Sequence, residues 1–216
     1  MDKKKIVIAV VAGHGKQVSG KFSPPLGKDL DIPSMFTDKG RFREWKYNRV
    51  IANDIVTILN SRGYNAQMVV TEDDDISLVE RVNRVNKLCK KYGTENVIML
   101  EIHANASGHG KEWMPARGWE CYTTVGKTKS DDLAEFIYKR AEKSFKGMSI
   151  RKDKKDGDSD KEKDFYVIKH VKCPAILSEN FFYTNKEDLK YMCSELGLFE
   201  VIRVHVEGTM DYIASL

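Results

Sequence analysis

The first strong pattern in the chain is an unbroken apolar run, Ile6 to Ala12, which stops at two glycines flanking His14. A continuous run of this length, without alternation, predicts a strand buried on both faces, here Lys5 to Val11. A polar stretch from Ala12 to about Lys39, containing "SPPLG" and "DIPS", then predicts a long loop. Loops of that length inside a compact domain usually serve function or motion. From Arg41 to Arg62 the period becomes helical, with Tyr47, Ile51, Ile55 and Ile58 on one stripe and Gly63 as the stop. Glu44 falls three residues before Tyr47 and seven before Ile51, so it prolongs that stripe and turns a carboxylate inward.

The alternation continues with a strand at about Ala66 to Val70, a helix at Ile76 to Lys91, a strand at Asn96 to His103, a strand at Gly118 to Thr124 and a helix at Ser130 to Lys146. "FYVI" and "PAILSE" read as short strands, and Asn185 to Cys193 and Gly197 to Ala214 as helices. Strands alternating with amphipathic helices predict an α/β fold with a mostly parallel, twisted sheet flanked by helices on both faces. With no internal repeat and no clear linker, residues 1–216 read as one domain. One stretch breaks the pattern: Arg151 to Asp164 carries six positive and six negative side chains and almost nothing apolar. It predicts a solvated, mobile loop, and its balanced charge argues against a polybasic anchor.

Composition narrows the function classes. Hydrophobic residues at 41% and charged residues at 31% fit a soluble globular protein. The net charge of +4 suits loose attraction to an anionic polymer but falls short of a nucleic-acid footprint, so no nucleic-acid partner is expected. Cys89, Cys121, Cys173 and Cys193 are too widely spaced for a structural zinc pair and read as buried free thiols. The start, "MDKKKIVIAVVAGHG", has a basic end but too short an apolar run and no cleavage region, so no signal peptide is expected. No run approaches the roughly 20 apolar residues of a membrane span, and a monomer without membrane insertion is the expectation.

Candidate chemistry collects at the predicted strand ends. His14 follows the first strand, His103 ends "NVIMLEIH", and Glu179 ends "PAILSE". In open α/β sheets ligands bind outside the carboxyl ends of the strands, so these residues share one rim. Glu44 joins them, because its helix begins after the loop that leaves this rim. A lone loop histidine is commonly just a solvated side chain; four such residues on one rim are a different matter. Two imidazoles and a carboxylate form an open zinc site with a fourth position left for water or substrate. A further carboxylate, Glu179, then suits general acid and base work. Glu101 alternates with His103 and reads either as an acceptor for an imidazole or as a buried polar residue. Asn105 would either fix its loop or bond substrate, and His109 reads as solvated. His170 and His205 have no supporting context.

The segments "AGHG", "REWKYN", "LEIHANAS" and "KCPAILSENFFYTNKED" together resemble the zinc-dependent N-acetylmuramoyl-L-alanine amidases, the Amidase_3 family, over essentially the whole chain. Singly these motifs are weak; in this order and spacing they are specific. The resemblance implies the zinc exopeptidase-like fold, zinc held by His14, Glu44 and His103, Glu179 as catalytic carboxylate, and peptidoglycan as partner. It implies cleavage of the amide between N-acetylmuramic acid and L-alanine. The layout is similar to phage endolysin catalytic domains, which implies a chain held in the cytoplasm until release, or else a trimmed secreted enzyme, with no separate wall-binding domain. Lys16 stands where many relatives have a second glycine, and Val11-Ala12 where they have Asp-Pro. The stretches at 20–39 and 151–164 exceed a minimal member and bear on substrate preference. Another zinc exopeptidase of the same fold, or an amidase relative that binds wall without cutting it, are the alternative readings.

Overall fold

The computed structural model describes residues 5–155 and 157–216. The basic start at residues 1–4 and position 156 of the charged stretch lie outside them.

Strand β1 (Val7–Ala12) is wholly buried, as its unbroken apolar run requires. A small antiparallel pair, β2 (Thr37–Asp38) and β3 (Arg41–Phe42), closes the long polar stretch. Helix α1 (Glu44–Ser61) follows, so its start lies past Arg41, which belongs to the pair. Then come β4 (Asn65–Met68), α2 (Leu78–Tyr92), β5 (Val97–Asn105), β6 (Glu120–Thr123), α3 (Lys129–Ser144), β7 (Lys161–Glu162), α4 (Tyr166–His170), β8 (Ala175–Phe182), α5 (Lys186–Met192) and α6 (Glu195–Ser215). The main sheet runs β4-β1-β5-β8-β6-β7. Its β4, β1, β5 and β8 are mutually parallel, while β6 runs antiparallel to β8. The single α/β domain with a mostly parallel sheet is therefore as the pattern predicted.

Alternation within the buried strands assigns the two faces. Ile8, Val10, Ile98, Leu100, Ile102 and Ile176 enter the larger core with residues of α1, α3 and α6. Val7, Ala9, Val11, Val97, Met99, Ala175 and Leu177 enter a smaller core with Val85, Cys89, Val167 and Ile168 of α2 and α4. Continuing that period of two, Glu101, His103 and Glu179 fall on the α2 and α4 side of the sheet.

Two segments differ from the sequence expectation. "FYVI" is not a strand: Phe165 precedes the short helix α4, in which the rings of Tyr166 and His170 stack four residues apart with centroids 4.1 Å apart. Four apolar residues are too few for periodicity to separate helix from strand, and here Val167 and Ile168 are buried beside α2. The charged stretch is not simply solvated either. Lys161 and Glu162 pair with Tyr122 and Thr123 as β7, and Asp160 is 1% exposed. All four cysteines are buried free thiols, as expected.

Candidate functional site

His14 leaves β1 in the left-handed region, φ 58, unusual for a residue with a side chain. Its neighbours explain why both must be glycine. A Cβ on Gly13 would run into the His103 ring, and one on Gly15 into the backbone at Asp74 and Asp75. The bare backbone of "AGHG" thus lets the His103 ring and the 74–75 segment close in on both sides of His14. Arg49 of α1 donates to the carbonyls of Ala12 and His14, both at 3.2 Å, and locks the turn from below. Lys16 contributes its backbone N–H to the Asp73 carbonyl at 2.8 Å, while its side chain is exposed. Nothing in the structure explains why that side chain is lysine.

Glu44 is the first residue of α1 and 1% exposed. Its Oε1 lies 3.4 Å from His14 Nε2 and 3.0 Å from His103 Nδ1, and accepts from the Ala104 backbone and the Asn48 amide at 3.3 Å each. Its Oε2 is buried and has no hydrogen-bond donor. The two imidazole rings meet edge to face with centroids 4.7 Å apart. One donor atom from each of His14, Glu44 and His103 lies within 4.8 Å of the others, so the group could hold a metal ion. The other nitrogen of His103, Nε2, lies 3.3 Å from Glu101 Oε1, and Glu101 in turn faces Arg81 at 3.6 Å. A carboxylate behind an imidazole in this way fixes the ring and its tautomer.

The electrostatics favour a cation between these groups. Burial pulls His14 down to about 3, so its imidazole is neutral and free to act as a ligand. Burial would also lower His103, but Glu101 and Glu44 outweigh it and raise the ring to about 10. Burial would raise Glu44, and the imidazoles of His14 and His103 reverse that and hold it below the usual carboxylate range. The carboxylates thus hold positive charge on the His103 ring, a proton that a metal ligated by that ring would displace.

Glu179 pairs in register with His103 across β5 and β8. Burial, reinforced by Glu44, pushes its carboxyl to about 8 against the pull of His103, and its Oε2 has no hydrogen-bond donor. Directly beyond, the register shifts between His103 and Asn105, and Phe181 is forced to φ 68. Such bulges re-aim side chains next to sites. His14, His103, Glu101 and Glu179 line a cleft of ≈ 360 Å³ whose far wall is Phe165, Tyr166 and Val167.

The remaining candidates fall elsewhere. Asn105 donates to Glu120 Oε1 at 2.7 Å and accepts from the Ala106 backbone, both contacts within the protein. His109 is exposed, and His170 stacks on Tyr166. His205 is buried in α6, bonded to the Val201 carbonyl and the Ser178 hydroxyl at 2.8 Å each. Sequence reasoning missed two residues of the cleft, Lys21 and Arg81, and a third, Glu120, paired across the strands with Glu179. Lys21 approaches Glu44 Oε2 at 4.0 Å. Arg81 sits on the apolar stripe of α2 four residues before Val85, the same kind of signal that singled out Glu44. Glu120 lies opposite Glu179 in the antiparallel β6 and β8 pair, a register that the sequence does not encode locally.

Fold and site together define an α/β enzyme-like domain whose sheet rim presents a histidine and glutamate cluster suited to a metal, with a second carboxylate beside it. The chain belongs to the N-acetylmuramoyl-L-alanine amidase family, whose model matches residues 8–207. It is 27% identical over 211 residues to the endolysin of Bacillus phage SPP1, covering 94% of this chain and 64% of the relative. It is 29% identical over 216 residues to the amidase LytC of Bacillus subtilis (strain 168), covering 94% of this chain and 40% of LytC. The chain therefore spans less than two thirds of either relative's length. A crystal structure of N-acetylmuramoyl-L-alanine amidase from Clostridium difficile 630 superposes with a TM-score of 0.72 at 23% identity, over 97% of each chain, which shows a shared fold.

Proposed function

We propose that this chain is a zinc-dependent N-acetylmuramoyl-L-alanine amidase domain that hydrolyses the amide joining N-acetylmuramic acid to the first L-alanine of peptidoglycan. The observation that carries this reading is the convergence of His14, Glu44 and His103 within 4.8 Å, with Glu179 in register beside His103. The donor set fits the metal: two imidazoles and one carboxylate, with Glu44 Oε1 facing His14 and His103 at 3.4 and 3.0 Å, match an open catalytic zinc site. Zinc held there would act as a Lewis acid on the scissile carbonyl and on the attacking water.

The rest is the work of the chain. Glu101 holds the His103 ring from behind, through Nε2, and leaves Nδ1 directed at Glu44. Glu179, in register beside His103, can take a proton from water as the carboxylate, and burial, which favours the protonated form, then suits it to deliver that proton to the departing alanine amine. The wall formed by Phe165, Tyr166 and Val167 supplies apolar surface against which a stem peptide can lie. The net positive charge adds weak attraction to anionic wall polymers. No helix of the described residues is long and apolar enough to cross a membrane.

Purified sacculi treated with the protein are expected to lose turbidity and release new L-alanine amino termini. Chelation should abolish the release, and Glu179→Ala should lower its rate about 10²–10⁴-fold, the usual share of a general acid and base. Release of reducing sugar ends alone, or full activity in Glu179→Ala, would refute the proposal.

A further inference from the structure

Two of the four cysteines meet in the smaller core. Cys89, in the last turn of α2, and Cys173, in the loop entering β8, are hydrogen-bonded through their side chains although they lie far apart in the chain. Asn86, one turn earlier on the same helix face, builds this contact. Its Oδ1 accepts from the Lys172 backbone at 2.9 Å, and its Nδ2 donates to the His170 carbonyl at 3.1 Å. That double bond straps residues 170–172 to α2 and delivers Cys173 against Cys89.

The two thiols differ from each other and from the remaining pair. The hydrogen bond from Cys173, with Lys172 adding to it, brings Cys89 down to about 7 against the effect of burial. The same bond, together with burial, raises Cys173 and makes it the donor. Cys121 and Cys193 sit in the larger core, where burial raises both. The thiolate is the nucleophile, so Cys89 is the reactive sulfur and Cys173 its partner. Each is mostly covered, at 3% and 7% exposed, yet each lines a depression open to solvent. Lys87, Lys90 and Lys172 surround the one at Cys89, and the one at Cys173, of ≈ 470 Å³, adjoins it through Thr94 and Lys172. A small reagent can thus reach the pair without the core opening.

We propose that Cys89 and Cys173 form a thiol–disulfide exchange site that takes small-molecule disulfides and closes into a bridge between α2 and the entry to β8. The Cys89 thiolate attacks one sulfur of the small disulfide, forms a mixed disulfide and expels the first thiolate. Cys173, on losing its proton, attacks the Cys89 sulfur and expels the second. Two protein thiols are oxidised by two electrons in all, and the small disulfide is reduced to two thiols, which take up the protons of Cys89 and Cys173 through solvent. The bridge fastens α2, which carries Arg81, to β8, which carries Glu179, and so braces the smaller core on the cleft side of the sheet. It does not depend on the amidase reading.

The test uses the whole chain, reduced, freed of reductant and incubated with oxidised glutathione at about pH 7.5, near the value at which Cys89 ionises. Intact mass, thiol counting after denaturation and peptide mapping read the product. It should have lost two hydrogens, keep two free thiols and yield one peptide pair joined through Cys89 and Cys173. Its melting midpoint should rise by roughly 5–15 °C, because a bridge closing so long a loop restrains the unfolded chain. Cys173→Ser should instead stop with one glutathionyl group on Cys89, and Cys89→Ser should take up none; should the serine variants fail to fold, the alanine ones replace them. Cys193→Ala should bridge as the unsubstituted chain does. The proposal is overturned if the folded chain keeps all four thiols, if the mapped bridge joins other cysteines, or if the bridged chain melts no higher than the reduced one.

Discussion

Gly13 shows how much a single side chain's absence can decide. Its hydrogen leaves the His103 ring in place, where any Cβ would collide with it. Gly13→Ala is therefore expected to push the ring off Glu44, destabilise the fold by about 1–3 kcal/mol as other overpacked sites do, and lower bound zinc per chain. Denaturant titration and metal analysis check this, and unchanged zinc content would show that the ring can move without loss. His14, Glu44, His103 and Glu179 were each legible in the sequence, because each is a polar residue where an apolar pattern ends or is interrupted. Arg81 carried the same signal on α2. Glu120 carried none, since its place beside Glu179 depends on which strands pair and in which register.

Whole elements are joined by buried polar contacts as well as by apolar packing. His205 bonds α6 to Ser178 of β8, and burial pulls its ring down to about 4 from the ordinary 6.5. Between those two values the unfolded chain binds a proton that the folded chain refuses, so stability falls as pH drops from 6.5 towards 4. The full difference is about 3 kcal/mol at about 1.4 kcal/mol per pH unit. Denaturation midpoints at pH 7, 5.5 and 4.5 should therefore converge in His205→Gln relative to the unsubstituted chain, and an unaltered slope would remove His205 as the cause. At this scale the strongly periodic elements, α1, α2, α3, α6 and the apolar strands, were readable from pattern. The misreading of α4 has a definite origin: four apolar residues carry no usable period, and their burial beside α2 selected the helical turn. β7 was unreadable for a related reason, as its two charged residues extend only because β6 offers them an edge.

At the scale of the molecule, the proposed zinc ligands come from residues 14, 44 and 103, on the end of β1, the start of α1 and the end of β5. A metal there would tie three distant segments together, so binding should stabilise the whole fold. Added zinc is expected to raise the melting midpoint of the metal-free chain by roughly 5–10 °C at a hundredfold excess over Kd, and His103→Ala should erase the effect. An equal shift in that variant would place the zinc elsewhere. The sequence by itself determined the α/β class, the sheet-rim location of the candidate chemistry and the inward turn of Glu44, because burial of apolar side chains imposes periods of 2 and 3.6 that can be read residue by residue. Only the tertiary structure decided that Glu101 stands behind His103, that Glu120 faces Glu179, and that Asp160 of the charged stretch is buried while its Arg151 and Lys161 reach Glu120. Those outcomes depend on strand order, register and the desolvation of particular charges, which arise from contacts between residues far apart in the chain.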